Sequence, residues 1–110
     1  MDYCNLVFFV PESHLETVKS AIFAAGGGKL GNYDCCCWQC AGEGQFRPLA
    51  GSDPFLGGLN QLEKVREYRV ELLAAKALMP QILQALKNSH PYETPAFHYW
   101  DAAISFEQES

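Results

Sequence analysis

Residues 3–10 read Tyr-Cys-Asn-Leu-Val-Phe-Phe-Val, and this segment decides the fold that the sequence predicts. Valine, leucine and aromatic side chains dominate it and no helix-length pattern is present, which favours a strand. Because alternate residues of a strand point to opposite faces, both faces of this strand are largely apolar. A strand that is apolar on both faces is expected in the middle of a sheet, and Pro11 ends it.

Periodic patterns on both sides of this segment predict the other elements. Ser13 and Glu16 fit a capping box, and apolar residues at helical spacing follow until three glycines at 26–28. Pro80 fits the first turn of a second helix. The predicted helices cover residues 13–25 and 77–88, and the further predicted strands cover residues 29–40, 63–73 and 97–104.

The element order is β-α-β-β-α-β, which predicts an α+β, ferredoxin-like domain with one antiparallel sheet and two helices on one face. We expect a single domain over residues 1–105, followed by a polar tail over 106–110. Residues 42–58 hold five glycines and two prolines and are predicted as a long loop. Loops of that length are functional or disordered.

Composition limits the classes of function. The chain has 110 residues, a formal net charge of −5 and 48% hydrophobic residues, which suits one globular domain and excludes an intrinsically disordered chain. Eight scattered Lys and Arg argue against a nucleic-acid partner. No apolar run approaches the ~20 residues of a membrane helix. No signal peptide is visible, so we expect a cytoplasmic protein with reduced cysteines.

Four of the five cysteines lie within six residues. Cys37 and Cys40 form a C-x-x-C, a spacing that can chelate Zn(II) or Cu(I). A zinc finger needs a second pair of ligands, which His14, His90 or His98 could supply only through the fold. The alternative is that small reduced cysteines fill a buried strand, which is the commoner outcome for such residues. The clustered cysteines are Cys35, Cys36, Cys37 and Cys40.

The run His-Pro-Tyr-Glu at residues 90–93 is stiffened by proline and precedes the last predicted strand. His90 and Glu93 could act as a metal pair or as an acid–base pair. The alternative is a structural turn in which Tyr92 packs and His90 caps the preceding helix, and the residues alone favour that turn.

Residues 44–47, Gly-Gln-Phe-Arg, form a third candidate. Glycine lets a ligand approach the backbone, and Arg47 could bind a phosphate or a carboxylate. No Walker or Rossmann fingerprint is present. A flexible or oligomer-contacting loop is the alternative. No nucleophile motif of a hydrolase or transferase is visible, so we expect no catalysis.

Four motifs in order, residues 6–11, 31–34, 44–48 and 90–93, resemble the YqfO-type domain of the Nif-three-like (NGG-one-interacting-factor-like) family. That domain is inserted in many family members and also exists as a stand-alone protein, which is the form expected here. The His-Pro-Tyr-Glu motif is also similar to the CutA divalent-cation tolerance proteins. CutA and PII signalling proteins share the ferredoxin-like fold and form trimers through their sheets.

The resemblance implies a CutA/PII-like fold, a homo-oligomer (trimer or dimer), and a ligand or partner loop at residues 42–58. It does not by itself imply enzymatic activity, since the two-metal site of larger members lies on flanking domains. Relatives usually continue after residue 34 with His-Cys-Ser and an aromatic residue, whereas this chain has Cys35 first. A cysteine in place of this histidine is still able to bind a metal ion, and its thiolate is a softer ligand than imidazole.

The expected function is therefore a small cytoplasmic, non-catalytic binding or regulatory module that binds a thiophilic or divalent metal ion such as Zn or Cu. One alternative is a PII-like sensor of a small anionic ligand, such as a nucleotide. Another is a partner-recruiting domain anchored by Phe46 and Phe55. The candidate metal ligands are Cys35, Cys36, Cys37, Cys40, His90 and Glu93, and the candidate ligand-binding residues are Gly44, Gln45, Phe46, Arg47 and Tyr92.

Overall fold

Four antiparallel strands form one sheet in the order β2-β3-β1-β4, as seen in a computed structural model that describes residues 2–105. The predicted order of elements and the α+β, ferredoxin-like class are confirmed. The predicted tail at 106–110 lies outside the described residues. The elements are β1 (Tyr3–Pro11), α1 (Leu15–Ala24), β2 (Trp38–Phe46), β3 (Glu63–Ala75), α2 (Met79–Ser89) and β4 (Phe97–Ala102).

The central position of β1 follows from its sequence and is confirmed. It pairs with β3 along one edge and with β4 along the other, so that Leu6 lies opposite both Leu72 and Tyr99. Both neighbours satisfy its backbone groups, and a strand without a free edge can be apolar on both faces.

The core lies between one face of the sheet and the two helices. The even-numbered residues of β1 point into it, and Leu6, Phe8 and Val10 are fully buried there. Burying a side chain of this size stabilises the fold by about 1.5–3 kcal/mol. The helices supply the facing layer, with Val18 and Ile22 from α1 and Ile82 and Leu86 from α2.

The prediction of a strand over residues 29–40 was wrong for most of its length. Residues 29–37 form a loop in which Leu30 and Tyr33 exchange backbone hydrogen bonds. Gly31 and Cys35 have φ of 55°, a turn conformation that interrupts an extended chain. The second strand begins only at Trp38.

The loop predicted over 42–58 was wrong at its start, because residues 42–46 belong to β2. Gly42 and Gly44 pair with Glu67 and Val65 of β3. An edge strand that is exposed on both faces needs no apolar alternation, so sequence patterning could not reveal it. The loop between β2 and β3 covers residues 47–62.

The helix ends agree with the predictions more closely than the helix starts. Gly26, with φ of 107°, follows the C-cap of α1, and Pro80 occupies the first turn of α2, as expected. The predicted capping box is wrong. Residues 12–14 form a short 3₁₀ turn, so that α1 starts later and the Ser13 hydroxyl lies 2.8 Å from the ring of His14.

The face of the sheet opposite the helices is called the open face here. The strand registers place Asn5 and Val7 of β1, Arg69 and Glu71 of β3, and Trp38 and Cys40 of β2 on it, together with His98 and Trp100 of β4. Within residues 2–105, no helix is both long enough and apolar enough to span a membrane.

Candidate functional site

A cavity of about 250 Å³ lies where the end of β2, the 47–62 loop and the residues before β4 meet. We call it the aromatic cavity. Two of the segments singled out in the sequence, at 44–47 and 90–93, both contribute to it. Its lining includes Gln45, Phe46, Pro48, Phe55, Leu56, Glu67, Tyr92 and Glu93.

Three aromatic rings line this cavity. The ring centroid of Tyr92 lies 6.0 Å from that of Phe46 and 6.2 Å from that of Phe55, and both pairs are tilted. Tyr92 and Phe46 are half-buried, whereas Phe55 is 47% exposed. Phe55 also contacts the ring of His14 edge-on, with 5.4 Å between centroids. The loop from 47–62 is thereby packed against the rest of the cavity by its own aromatic side chain.

The charged side chains that line the cavity are both carboxylates. The Tyr92 hydroxyl donates to Glu67 at 2.9 Å, and the backbone N–H of Asp53 donates to Glu93 at 3.0 Å. Burial and the Glu67 hydrogen bond both raise the pKa of Tyr92, so its phenol stays protonated and remains the donor. Among the residues described along this lining, none is cationic, and Arg47 is exposed outside it.

His90 holds the loop that carries Tyr92. It is the C-cap residue of α2, and its Nδ1 accepts the backbone N–H of Tyr92 at 3.1 Å. Nδ1 must therefore be unprotonated, so Nε2 carries the proton and donates it to the carbonyl of Phe9 at 2.7 Å. Burial lowers the pKa of His90, which favours this neutral ring. Both ring nitrogens of His90 are therefore engaged in hydrogen bonds with the backbone. This arrangement corresponds to the structural turn given above as the alternative to a metal or acid–base pair.

Gly44 gives Glu67 room to reach Tyr92. A Cβ at Gly44 would lie within 2.5 Å of the Glu67 carboxyl carbon, too close for any real contact. A side chain at this position would push the carboxylate away from the phenol. Gly44 therefore positions Glu67, and it does not line the cavity itself.

The clustered cysteines are at the surface. Cys35, Cys37 and Cys40 are exposed and Cys36 is half-buried, so the interpretation that they fill a buried strand was wrong. Cys4 is the buried cysteine, at 1% exposure. Cys36 and Cys37 line a shallow depression beside Trp38, whereas Cys40 lines a different one on the open face. Within residues 2–105, no three potential ligands of this kind are arranged to hold a metal ion.

Of the residues predicted to form sites, the fold brings Gln45, Phe46, Tyr92 and Glu93 to one cavity. It leaves Arg47 and the four clustered cysteines outside. Sequence reasoning missed Glu67, because it looks like any charged residue of an alternating strand. Gly44, two residues along β2 from the residue that pairs with Glu67, could have indicated it, but only once the register was known.

No family model matches the chain. It is 42% identical over 91 residues to the "GTP cyclohydrolase 1 type 2 homolog" of Mycobacterium leprae, covering 83% of this chain and 24% of the relative. It also superposes on the Bacillus cereus protein related to NIF3, with a TM-score of 0.80 and 33% identity, covering 94% of this chain and 26% of that one. The chain thus spans about a quarter of the length of these proteins.

Two smaller proteins match nearly end to end in fold. CutA, the periplasmic divalent cation tolerance protein of Archaeoglobus fulgidus, has a TM-score of 0.66 and 12% identity, covering 96% of this chain and 89% of its own. GlnK of Bacillus subtilis has a TM-score of 0.64 and 9% identity, covering all of this chain and 93% of its own. The expected CutA/PII-like fold is confirmed, and so is the resemblance to one segment of the Nif-three-like proteins.

Proposed function

We propose that this chain, the counterpart of one segment of the Nif-three-like proteins, is a non-catalytic binding and regulatory module that holds a small ligand in the aromatic cavity. The observation that carries the proposal is the assembly of that cavity from residues 45–46 and 92–93, which are far apart in sequence. Concave sites with apolar walls and a few converging polar groups are the usual form of small-molecule sites. A cavity of about 250 Å³ suits a ligand smaller than a drug.

An amide NMR titration of the ¹⁵N-labelled protein tests this proposal. The probes are small alkylammonium ions, small alcohols and small carboxylates, with ATP and GTP as larger anions. At least one class should shift the amides around Phe46 and Tyr92 in a saturable way. The variant Tyr92→Leu should weaken that binding, whereas Tyr99→Leu, on an exposed aromatic residue elsewhere, should not. The absence of saturable shifts at the cavity for every probe would refute the proposal.

The nucleotides among these probes also test the alternative of an anionic ligand bound through residues 42–58. GTP is included because it appears in the name of the Mycobacterium relative. Binding of an anion there would depend on Arg47, which is exposed beside the cavity. Arg47→Gln should then weaken ATP or GTP binding without affecting the other probes. Saturable nucleotide binding whose affinity is the same in the native protein and in Arg47→Gln would count against the alternative.

We further propose that copies of this chain associate through the open face. Trp38 and Trp100 lie on that face at 58% and 45% exposure, and aromatic side chains are enriched at interfaces. Light scattering coupled to size exclusion should give an oligomer for the native protein and a smaller species for Trp38→Asp. The control is Leu62→Asp, since Leu62 has the same 58% exposure in the loop before β3. A monomeric native protein would overturn this proposal.

The exposed thiols support a second candidate function, which is a response to a thiophilic metal such as Zn(II) or Cu(I). Since one chain assembles no three-ligand group within the described residues, a second copy would have to complete the site. Cys40 lies on the open face, where such a copy would be seated. Desolvation and the Asp34 carboxylate raise the pKa of Cys35, which disfavours the thiolate form that a metal would need there. Such a site needs the reduced thiols that the cytoplasm maintains.

Native mass spectrometry of the reduced, anaerobic protein with Zn(II) and Cu(I) tests the metal. We expect bound metal for the native protein and loss of it in Cys37→Ser with Cys40→Ser. Cys4→Ala should retain the metal, because Cys4 is buried away from the cluster. A metal-free native protein, or a double variant with unchanged metal content, would overturn this candidate.

A further inference from the structure

We infer that the aromatic cavity selects a small organic cation, in which an ammonium group carries alkyl substituents. This inference rests on the proposed function, because it names the ligand class of the same cavity. Its basis is the combination of three aromatic side chains with two carboxylates in one small space.

The rings supply the first part of the selectivity. A cation within ~6 Å of an aromatic centroid is attracted by the negative face of the ring. The ring centroids of Phe46 and Phe55 lie 6.0 and 6.2 Å from that of Tyr92, and all three side chains line the cavity. A cation in this cavity would have three aromatic side chains around it, and a ring face that attracts a cation repels an anion.

The carboxylates supply the second part. Glu67 and Glu93 are oriented by hydrogen bonds from Tyr92 and from the Asp53 backbone, so their negative charge is held at the cavity wall. The net charge of −5 adds an attraction for cations over the whole surface. Because the charged side chains of the described lining are both carboxylates, the cavity disfavours a phosphate or carboxylate ligand.

The apolar walls distinguish an organic cation from a metal ion. Pro48, Pro54 and Leu56 line the cavity beside the rings, and Ca²⁺ or Mg²⁺ would need six or more oxygen ligands. An alkylammonium ion is weakly hydrated and can exchange its water for rings and methylene groups. The small volume limits it to a compact molecule.

Choline is the probe, and 3,3-dimethylbutan-1-ol is its uncharged counterpart of the same shape. Titrations of the native protein followed by amide NMR should place choline at Phe46, Phe55 and Tyr92. The alcohol should bind at least about tenfold more weakly, which corresponds to ~1.4 kcal/mol. Equal affinities for the two compounds, or choline shifts confined to residues outside the cavity, would overturn the inference.

Two variants examine the rings and the charge separately. Phe55→Leu should weaken choline binding about two- to fivefold and leave the alcohol unaffected, as expected for the loss of one exposed cation–π contact. Tyr99→Leu is its control, since Tyr99 is 49% exposed on another surface. Glu93→Gln should weaken choline binding, whereas Glu16→Gln on α1 should not. Equal effects of a variant and its control would overturn the inference.

The outcomes separate this inference from the proposed function. If the alcohol or an anion binds at the cavity and choline does not, the cationic ligand class is refuted and the binding module stands. If no probe binds there, both are refuted.

Discussion

Replacing Gly44 by alanine should break the hydrogen bond between the Tyr92 hydroxyl and Glu67. The new methyl group would overlap the Glu67 carboxylate, and we expect the side chain to leave the position in which it accepts the Tyr92 hydroxyl. Gly42 offers a matched control on the same strand, because no atom lies within 4 Å of the Cβ that an alanine would add there. Gly42 and Gly44 both lie in extended β2, so the backbone tolerates alanine at both.

The magnitudes follow from two contributions. Alanine in a strand interior is favoured over glycine by about 0.5–1 kcal/mol. A hydrogen bond to a charged group contributes about 1.5–3 kcal/mol. Gly42→Ala should therefore raise the free energy of unfolding by about 0.5–1 kcal/mol, and Gly44→Ala should lower it by about 0.5–2.5 kcal/mol. The difference between the two variants isolates the hydrogen bond, because the glycine-to-alanine contribution is common to both.

Urea unfolding followed by circular dichroism measures both variants at neutral pH. A second comparison in a Tyr92→Phe background removes the hydrogen bond in advance, so that Gly44→Ala should then raise the free energy of unfolding as Gly42→Ala does. Equal stabilities of Gly44→Ala and Gly42→Ala would refute the reasoning. So would a cost of Gly44→Ala that is unchanged in the Tyr92→Phe background.

Two further substitutions examine the support of the cavity and the core. The native protein should lose stability as the pH falls below about 6.5, because burial lowers the pKa of His90 and the unfolded chain then binds more protons than the folded one. In His90→Gln, the urea midpoint should change less between about pH 7 and pH 5 than it does in the native protein. The same dependence of the midpoint on pH in both proteins would contradict this. Leu6→Ala should lower the free energy of unfolding by about 2–5 kcal/mol and exposed Leu59→Ala by about 0.5 kcal/mol or less, whereas similar losses would contradict the burial pattern.

The elements that the sequence predicted well are those whose residue types or periodic spacing mark them in the sequence. In β3 and α2 the buried positions recur at strand and helix spacing, and β1 is apolar on both faces because a strand pairs along each of its edges. The misplaced element was β2, whose side chains are mostly exposed. Its position depends on backbone pairing with β3, and this pairing produces no alternation of apolar and polar residues in the sequence.

The candidate site divides in the same way. Phe46 and Tyr92 were found because they belong to motifs with a recognisable composition. Glu67 was missed because its role depends on reaching over Gly44 from the neighbouring strand. The alternative of buried cysteines was wrong because the strand was placed too early, and the turn at Cys35 brings that segment to the surface.

The position of β1 between β3 and β4 also affects how the chain folds. The strand that comes first in the sequence pairs with the two strands that come last, so every ladder in which it takes part joins distant residues. Such contacts must close long loops before they stabilise anything, which slows folding relative to proteins with local contacts. Until β3 and β4 are in place, the run from Leu6 to Val10 has unpaired edges and apolar side chains on both faces. A chain in which β1 has not yet paired would therefore be prone to aggregation through its most apolar strand.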